Sequence, residues 1–474
     1  MVDRQVRPAG RYVLYWMTAA RRTRWSFALQ HACLHADALG LPLVVFEPLG
    51  LNHRWASARF HQFVIEGMRD NAARCAAAGV AYVPWVETGR GEGRGVLAEL
   101  AGDAALVVTD DTPIPTVRNF VRRAAEWLPA RLEAVDGNGV LPLDQPGRTF
   151  TMAVHFRRHL QKSIRAHLGH PPVPDPLAQI ERPPFVLGPR PSWRPTDLDA
   201  VDLDPLPIDH AVVPVAYPGG AKAGEAVLAE FIAHRLHRYG TDRNRVDDSA
   251  ASGLSPYLHF GHVSPHEVVE AALRAVAWTP AALSEKVTAK RHGWWGAGDA
   301  VESFLDECIT WRELGANYCH HVPDPYAFAT LPDWAQKTLT VHAADRREWV
   351  YDLEALETGR THDPLWNAAQ RQLRVEGRIH NYLRMLWGKK VLHWTPDPQT
   401  ALATLVHLND RWAVDGRDPN SVAGIGWVFG RFDRAWGPER PIFGKVRYMT
   451  SASTQRKLRV GAYLDRWGPG SGPT

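Results

Sequence analysis

Apolar residues among the first 140 positions fall into short β-branched or aromatic runs, at residues 12–16, 43–46, 82–86, 106–109 and 132–135. Stretches with helical spacing separate them. Between Trp25 and Leu39, for example, Trp25, Leu29, Ala32, Cys33, Ala36 and Leu39 recur every three or four residues and line one helix face. Strands alternating with helices of this length predict an α/β domain built on a doubly wound parallel sheet. A glycine-rich stretch, GRGEGRG from Gly89 to Gly95, contains no GxGxxG and does not follow the first strand. It reads as a surface loop, not as a dinucleotide fingerprint.

Residues 171–218 hold 13 of the 36 prolines. Proline at this density prevents regular helix or central strand and predicts an interdomain connection. Beyond residue 222 strand signals nearly vanish, and amphipathic patterns at residues 225–239, 301–318 and 368–394 predict an all-α second half. The expected division is an α/β domain over 1–170, a proline-rich linker over 171–221 and a helical domain over 222–474.

Composition adds exclusions. Hydrophobic residues at 45% and charged residues at 22% are ordinary for a globular chain and exclude wholesale disorder. No run of about 18 uncharged apolar residues occurs and the start lacks an apolar signal core, so a cytoplasmic protein is expected. The four cysteines, Cys33, Cys75, Cys308 and Cys319, form no CxxC pair, which points to buried thiols without a metal site. A net charge of +4 is too small to announce nucleic-acid binding. Between residues 427 and 460, however, eight Lys or Arg face two acids, Asp433 and Glu439. Such a run suits either a solvated face or a phosphate-binding loop.

Two further patterns carry candidate chemistry. Ser252, Ser255 and Pro256 in SGLSP offer hydroxyls and backbone N–H groups at a helix start, equally suited to capping a helix or meeting a pyrophosphate. Trp387 and Trp394 lie seven apart, two helical turns and about 10 Å, on the same side of one helix. They form a core stripe or an electron path.

Four segments together resemble the class II cyclobutane pyrimidine dimer photolyases: SGLSPYLHFG (252–261), FLDECITWREL (304–314), THDPLWNAAQRQLRVEGRIHNYLRMLWGKKVLHW (361–394) and LNDRWAVDGRDPNSVAGIGWVFGRFDRAWGPERPIFGKVRYM (408–449). The resemblance covers essentially the whole helical half, and the YVLYWM start at Tyr12 fits the family more loosely. It implies non-covalent FAD in the helical domain and blue-light splitting of dimers in DNA by electron transfer to a flipped-out lesion. The sequence leaves open whether the N-terminal domain holds an antenna pigment, and which one; a monomer without a metal site is expected.

By resemblance, Tyr239, Ser252, Leu254, Ser255, Arg384, Asn409 and Asp415 hold FAD, with Arg243 and Arg245 closing over its phosphates. Asn409 faces the flavin N5 atom, and Arg384 with Asp415 forms an ion pair beside the ring. Trp387, Trp366 and Trp394 form the relay that recharges the flavin, in that order toward the surface. Glu307, Trp311, Met385 and Trp427 receive the flipped dimer; Glu307 and Trp311, four apart, are expected on one helix face, with Glu307 a buried carboxyl. Arg447 fills the gap left in the duplex, with Arg434, Lys445 and Arg456 on phosphates.

The chain also departs from the family pattern. His266-Glu267 stand where a Gln-Arg pair is usual, residues 278–299 form a longer stretch, and the loop from Trp427 to Arg434 is one residue shorter. A cryptochrome-like photoreceptor that keeps FAD and the relay but not repair is the alternative. The lesion-pocket residues favour repair.

Overall fold

The computed structural model describes residues 4–179, 185–188 and 193–469. The chain forms two compact units and passes between them repeatedly. Residues up to 145, 164–229 and 254–271 make the first unit; residues 146–163, 230–253 and those from 272 onward make the second.

The first unit contains strands β1 (Tyr12–Trp16), β2 (Leu43–Leu49), β3 (Ala81–Val86), β4 (Ala104–Asp111) and β5 (Arg131–Asp136), paired in parallel in the order β3-β2-β1-β4-β5. Helices α1 (Phe27–Leu39), α2 (Ala58–Ala77), α3 (Gly93–Asp103) and α4 (Pro115–Trp127) connect them. Alternation along β1 shows why both faces are covered. Tyr12, Leu14 and Trp16 enter one apolar cluster, Val13 and Tyr15 the other, as a period of two requires of a central strand. At the reversal of strand order, Asp110 accepts backbone N–H groups from Thr18, Ala19 and Ala20 at 2.8–3.0 Å, which fixes the loop after β1.

Two local expectations shift. Helix α1 begins at Phe27, because the Ser26 side chain caps it and Trp25 takes φ 49°. Of the glycine-rich stretch, only the part before Gly93 is a turn; the remainder opens α3.

The division at 170 and the 171–221 linker do not describe these units. The described part of the proline-rich segment belongs to the first unit and covers the outer strand β3. The Thr196 N–H donates to the Pro84 carbonyl, and the Val86 N–H donates to Thr196 Oγ1, both at 2.9 Å. Trp193 packs edge-on against Trp85, with centroids 6.2 Å apart. Prolines that cannot form a regular ladder thus close an edge that would otherwise be open to pairing.

The second unit is helical: α5 (Ala153–Ser163), α6 (Asp299–Leu305), α7 (Arg312–His321), α8 (Pro364–Glu376), α9 (Asn381–Trp394), α10 (Pro398–Trp412) and α11 (Pro419–Val428) are its main elements. The expected helix over 301–318 is interrupted by a π-helical turn at Asp306–Trp311. Asp306 there receives two hydrogen bonds from Arg157 on α5, at 2.7 and 3.0 Å, in a buried ion pair. The expected helix over 368–394 divides into α8 and α9 at Gly377, whose φ of 64° ends α8 in the left-handed region. The expected helix over 225–239 runs as Ala221–His234, followed by a short 3₁₀ turn at Leu236–Arg238. The long 278–299 stretch is a built turn: Trp294 and Trp295 are buried, and the Glu302 carboxylate accepts N–H groups from Gly293, Trp294 and Ala297. Among the described residues no helix is long and apolar enough to cross a membrane.

Candidate functional site

Helix α9 organises the helical unit. At about 100° per residue, Arg384 and Met385 project about 100° apart, and Trp387, three residues on, lies about 60° from Arg384 on its other side. Each direction leads to a separate group of expected site residues.

Arg384 donates to both Asp415 oxygens, at 2.8 and 3.2 Å, and to Asn409 Oδ1 at 3.0 Å. Burial alone would lower the guanidinium pKa, but Asp415 overrides it and holds the pKa above its usual value. About 27% of the Arg384 side chain stays open, so the cation is anchored on one side and accessible on the other. Asn409 is buried at the end of α10 and donates one amide proton to Asp410 at 2.9 Å. Asp410 is a residue the sequence reading passed over. It also accepts the Arg417 N–H at 2.9 Å and so fixes the orientation of the Asn409 amide.

The expected relay is assembled by two helices. Trp366 of α8 stacks on Trp387 with centroids 6.4 Å apart and planes 5° from parallel, and meets Trp394 edge-on at 5.6 Å. The Trp366 indole N–H donates to the Trp387 carbonyl, and the Trp387 indole donates to the buried Gln370. The expected surface end is corrected. Trp394 is only 1% exposed. The aromatic contacts continue to Tyr351 at 5.6 Å and His362 at 5.1 Å, and these stack with Trp349, which is 45% exposed.

Met385, Trp427 and Arg447 line one cleft of about 330 Å³, together with Tyr382, Trp436 and Tyr448. Arg447 is not a free cation there. It donates to Asp433 at 2.9 and 3.3 Å and lies 4.0 Å from the Trp436 ring centroid. Burial would raise the Asp433 pKa, yet the hydrogen bonds from Arg447 and the Arg434 backbone hold it below the usual carboxylate range. Arg434 also lies over Trp436, at 4.2 Å, and Lys445 pairs with Glu439 at 3.4 Å. Arg456 is exposed. The basic tract is not uniformly a surface, however, since Arg431 is buried and donates to the Pro325 carbonyl at 3.0 Å.

Lys389 went unread in the sequence. It is fully buried on α9, donates to the Val428 carbonyl at 2.6 Å and lies 4.6 Å from the Trp427 ring centroid. A cation at the last carbonyls of α11 holds the end of that helix and hence Trp427. No motif marks it, because only tertiary packing brings α9 under α11.

Glu307 and Trp311 lie on the π turn and are not among the cleft-lining residues. Glu307 keeps about 31% of its side chain exposed and forms an ion pair with Arg243, so the expectation of a buried carboxyl does not hold. Arg243 in turn lies 5.6 Å from the Tyr239 ring centroid, and Arg245 neighbours Asp247 at 3.8 Å. Ser252 closes the 230–253 segment of the helical unit, whereas Leu254 and Ser255 begin the 254–271 segment of the sheet unit. The expected helix start is only five residues long, Ser255–His259; Leu254 occupies the cap and no side chain caps it. In the sheet unit His266 meets Phe27 edge-on at 5.2 Å. Burial and the nearby Glu225 raise the Glu267 pKa.

The DNA photolyase family model matches residues 13–177. The chain is 37% identical over 457 residues to the deoxyribodipyrimidine photo-lyase of Methanothermobacter thermautotrophicus, covering 96% of this chain and 94% of that one. It is 34% identical over 469 residues to the deoxyribodipyrimidine photo-lyase of Oryza sativa subsp. japonica, covering 95% and 86%. A bacterial class III photolyase from Agrobacterium tumefaciens shares the fold, with a TM-score of 0.70 at 19% identity over 97% of this chain and 86% of that chain. Proteins of this group generally bind FAD. The chain belongs to the photolyase/cryptochrome family, as one of its photolyase enzymes.

Proposed function

We propose that the chain repairs cyclobutane pyrimidine dimers in DNA as a monomeric class II photolyase, with non-covalently bound FAD and blue light. The observation that carries the reading is helix α9, which presents Arg384 to an anion-stabilising cluster, Met385 to a cleft and Trp387 to a stacked indole chain. The residues fit a flavin. Arg384 is a fixed cation with one open side, and Asn409 keeps an amide held in place by Asp410.

When bound, reduced FAD supplies the photoexcited electron that splits the dimer and recovers it afterwards. Arg384 offsets negative charge on the ring system, and Asp415 prevents the guanidinium from turning away. Asn409 would offer its amide to the flavin ring. Tyr239 and Ser252 would hold the remainder of the cofactor. Trp394, Trp366 and Trp387 would carry electrons inward, in that order. Met385 and Trp427 offer apolar surfaces to flipped bases, Trp311 and Glu307 complete their recognition, and Arg434, Lys445 and Arg447 meet the DNA.

Anaerobic purification followed by illumination with dimer-containing DNA tests this reading. About one FAD per chain is expected in the denatured supernatant, with light-dependent loss of dimers. A photoreceptor would keep the flavin and its photoreduction yet leave dimers intact even after chemical reduction. Protein that folds with ample flavin available and holds none would overturn the proposal altogether.

A further inference from the structure

In the sheet unit, His31 and His35 of α1 lie four apart, one helical turn, and both rings reach Glu133 of β5. His31 Nε2 lies 2.6 Å and His35 Nε2 3.0 Å from the same carboxylate oxygen, Oε2, and the two nitrogens are 3.1 Å apart. The rings are nearly perpendicular, at 87°. Arg131 holds the other oxygen, Oε1, at 2.6 Å, leaving Oε2 to the imidazoles.

Protons alone do not satisfy this triangle. A carboxylate brings no proton at neutral pH, and each imidazole edge carries at most one in its ring plane. If both nitrogens are protonated, two N–H groups oppose each other across 3.1 Å. If only one is, the other nitrogen turns its lone pair toward Oε2. One side of the triangle is always mismatched. A divalent cation at the centre accepts all three lone pairs at once. Zinc binds imidazole and carboxylate at roughly 2.0–2.2 Å, which separates tetrahedral ligand atoms by about 3.3 Å. The edges of the triangle need to open by about 0.2 to 0.7 Å, most between His31 and Glu133.

We propose that His31, His35 and Glu133 bind a divalent transition-metal cation, of which zinc suits the ligand set, with at least one coordination position open. All three side chains are partly exposed, so the ion has an entry path. His31 also lines a cleft of about 400 Å³ with Phe27, Asp136, His167 and His266, which puts the ion at its rim.

The test uses the full-length protein, stripped with a chelator and titrated separately with Zn²⁺ and Co²⁺. One zinc per chain is expected above the background of a His31→Ala/His35→Ala/Glu133→Gln triple variant. Loss of an outer-sphere partner typically costs about 10–100-fold in affinity, so each single ligand variant should weaken binding at least about tenfold. Co²⁺ should give a visible absorption band that either histidine variant loses, and Zn²⁺ should raise the thermal midpoint of the parent but not of the variants. A measurement on the parent alone guards against misfolded variants: zinc should protect His31 and His35 from an imidazole-acylating reagent, read peptide by peptide. Equal titration of parent and variants, no cobalt band, or unprotected histidines would each overturn the site.

Discussion

Trp366 and Trp387 stack with their indole planes 5° apart although they come from different helices, and each helix fixes the other's ring. Trp366 donates to the Trp387 carbonyl and Gln370 of α8 accepts from the Trp387 indole, so the pair is held by reciprocal hydrogen bonds. Parallel rings at this separation allow efficient hopping of charge. Trp387→Phe and Trp366→Phe should each abolish light-driven flavin reduction by an external donor, while repair with chemically reduced flavin stays at the parent level. Unchanged photoreduction in either variant would remove that residue from the relay.

Because Trp394 is buried, charge must leave the relay through a neighbour. The Tyr351 hydroxyl lies 2.7 Å from His362 Nδ1, so oxidation of the phenol can release its proton to the imidazole and neutralise the hole. Lys390, 5.0 Å from the Trp394 ring centroid, disfavours positive charge remaining on that indole. Tyr351→Phe should therefore slow photoreduction and lengthen the life of the tryptophan radical seen after a flash, with repair by reduced flavin unaffected. Identical radical decay in parent and variant would exclude Tyr351 as the exit.

Glu307 and Arg447 should separate in their effects. Hydrogen bonds to charged groups contribute roughly 1.5–3 kcal/mol, so Glu307→Ala should reduce repair per absorbed photon by about tenfold or more while altering DNA affinity modestly. Its partner Arg243 is left unpaired but partly exposed, so the cost to stability should stay near ~1 kcal/mol or less. Arg447→Ala should weaken binding to dimer-containing duplex by about tenfold, ~1.4 kcal/mol, and spare single strands, which have no gap to fill. Equal losses on both substrates, measured by titration, would make Arg447 a phosphate contact instead.

Lys389 should impose a pH dependence on folding. Burial, opposed by Asp433 and aided by Arg447, brings its pKa down from 10.5 to about 7. Below pH 7 the lysine is charged in both states and its burial penalty is fully felt. Between about 7 and 10.5 the unfolded chain holds the extra proton, so stability rises with pH across that window. Unfolding of the parent and of Lys389→Met, followed by denaturant titration from pH 6 to 9, should show the parent gaining on the variant as pH increases. Parallel profiles would mean that the ammonium is not desolvated.

The five strands were legible because each carries a short run rich in apolar, β-branched or aromatic residues, broken in β5 by Glu133, a signal written within six or so neighbouring residues. Trp387 and Trp394 were legible as a pair because helical spacing alone puts them on one side of α9. Trp366 came from resemblance, and only packing shows it wedged between them. Helix breaks were harder to read. Amphipathic spacing continues across Gly377 and across the π turn at Asp306–Trp311, so one pattern covers two helices in each case. The proline-rich segment announced irregular backbone correctly, but what it packs on depends on Pro84, Trp85 and Val86, more than a hundred residues earlier. The same reason hides Lys389, Asp410, Tyr351 and the His31–His35–Glu133 triangle, whose Glu133 lies 98 residues after His35. Periodicity reports which side of an element faces the core; which polar groups meet there is decided by how distant elements pack, because desolvation and hydrogen bonding depend on neighbours in space.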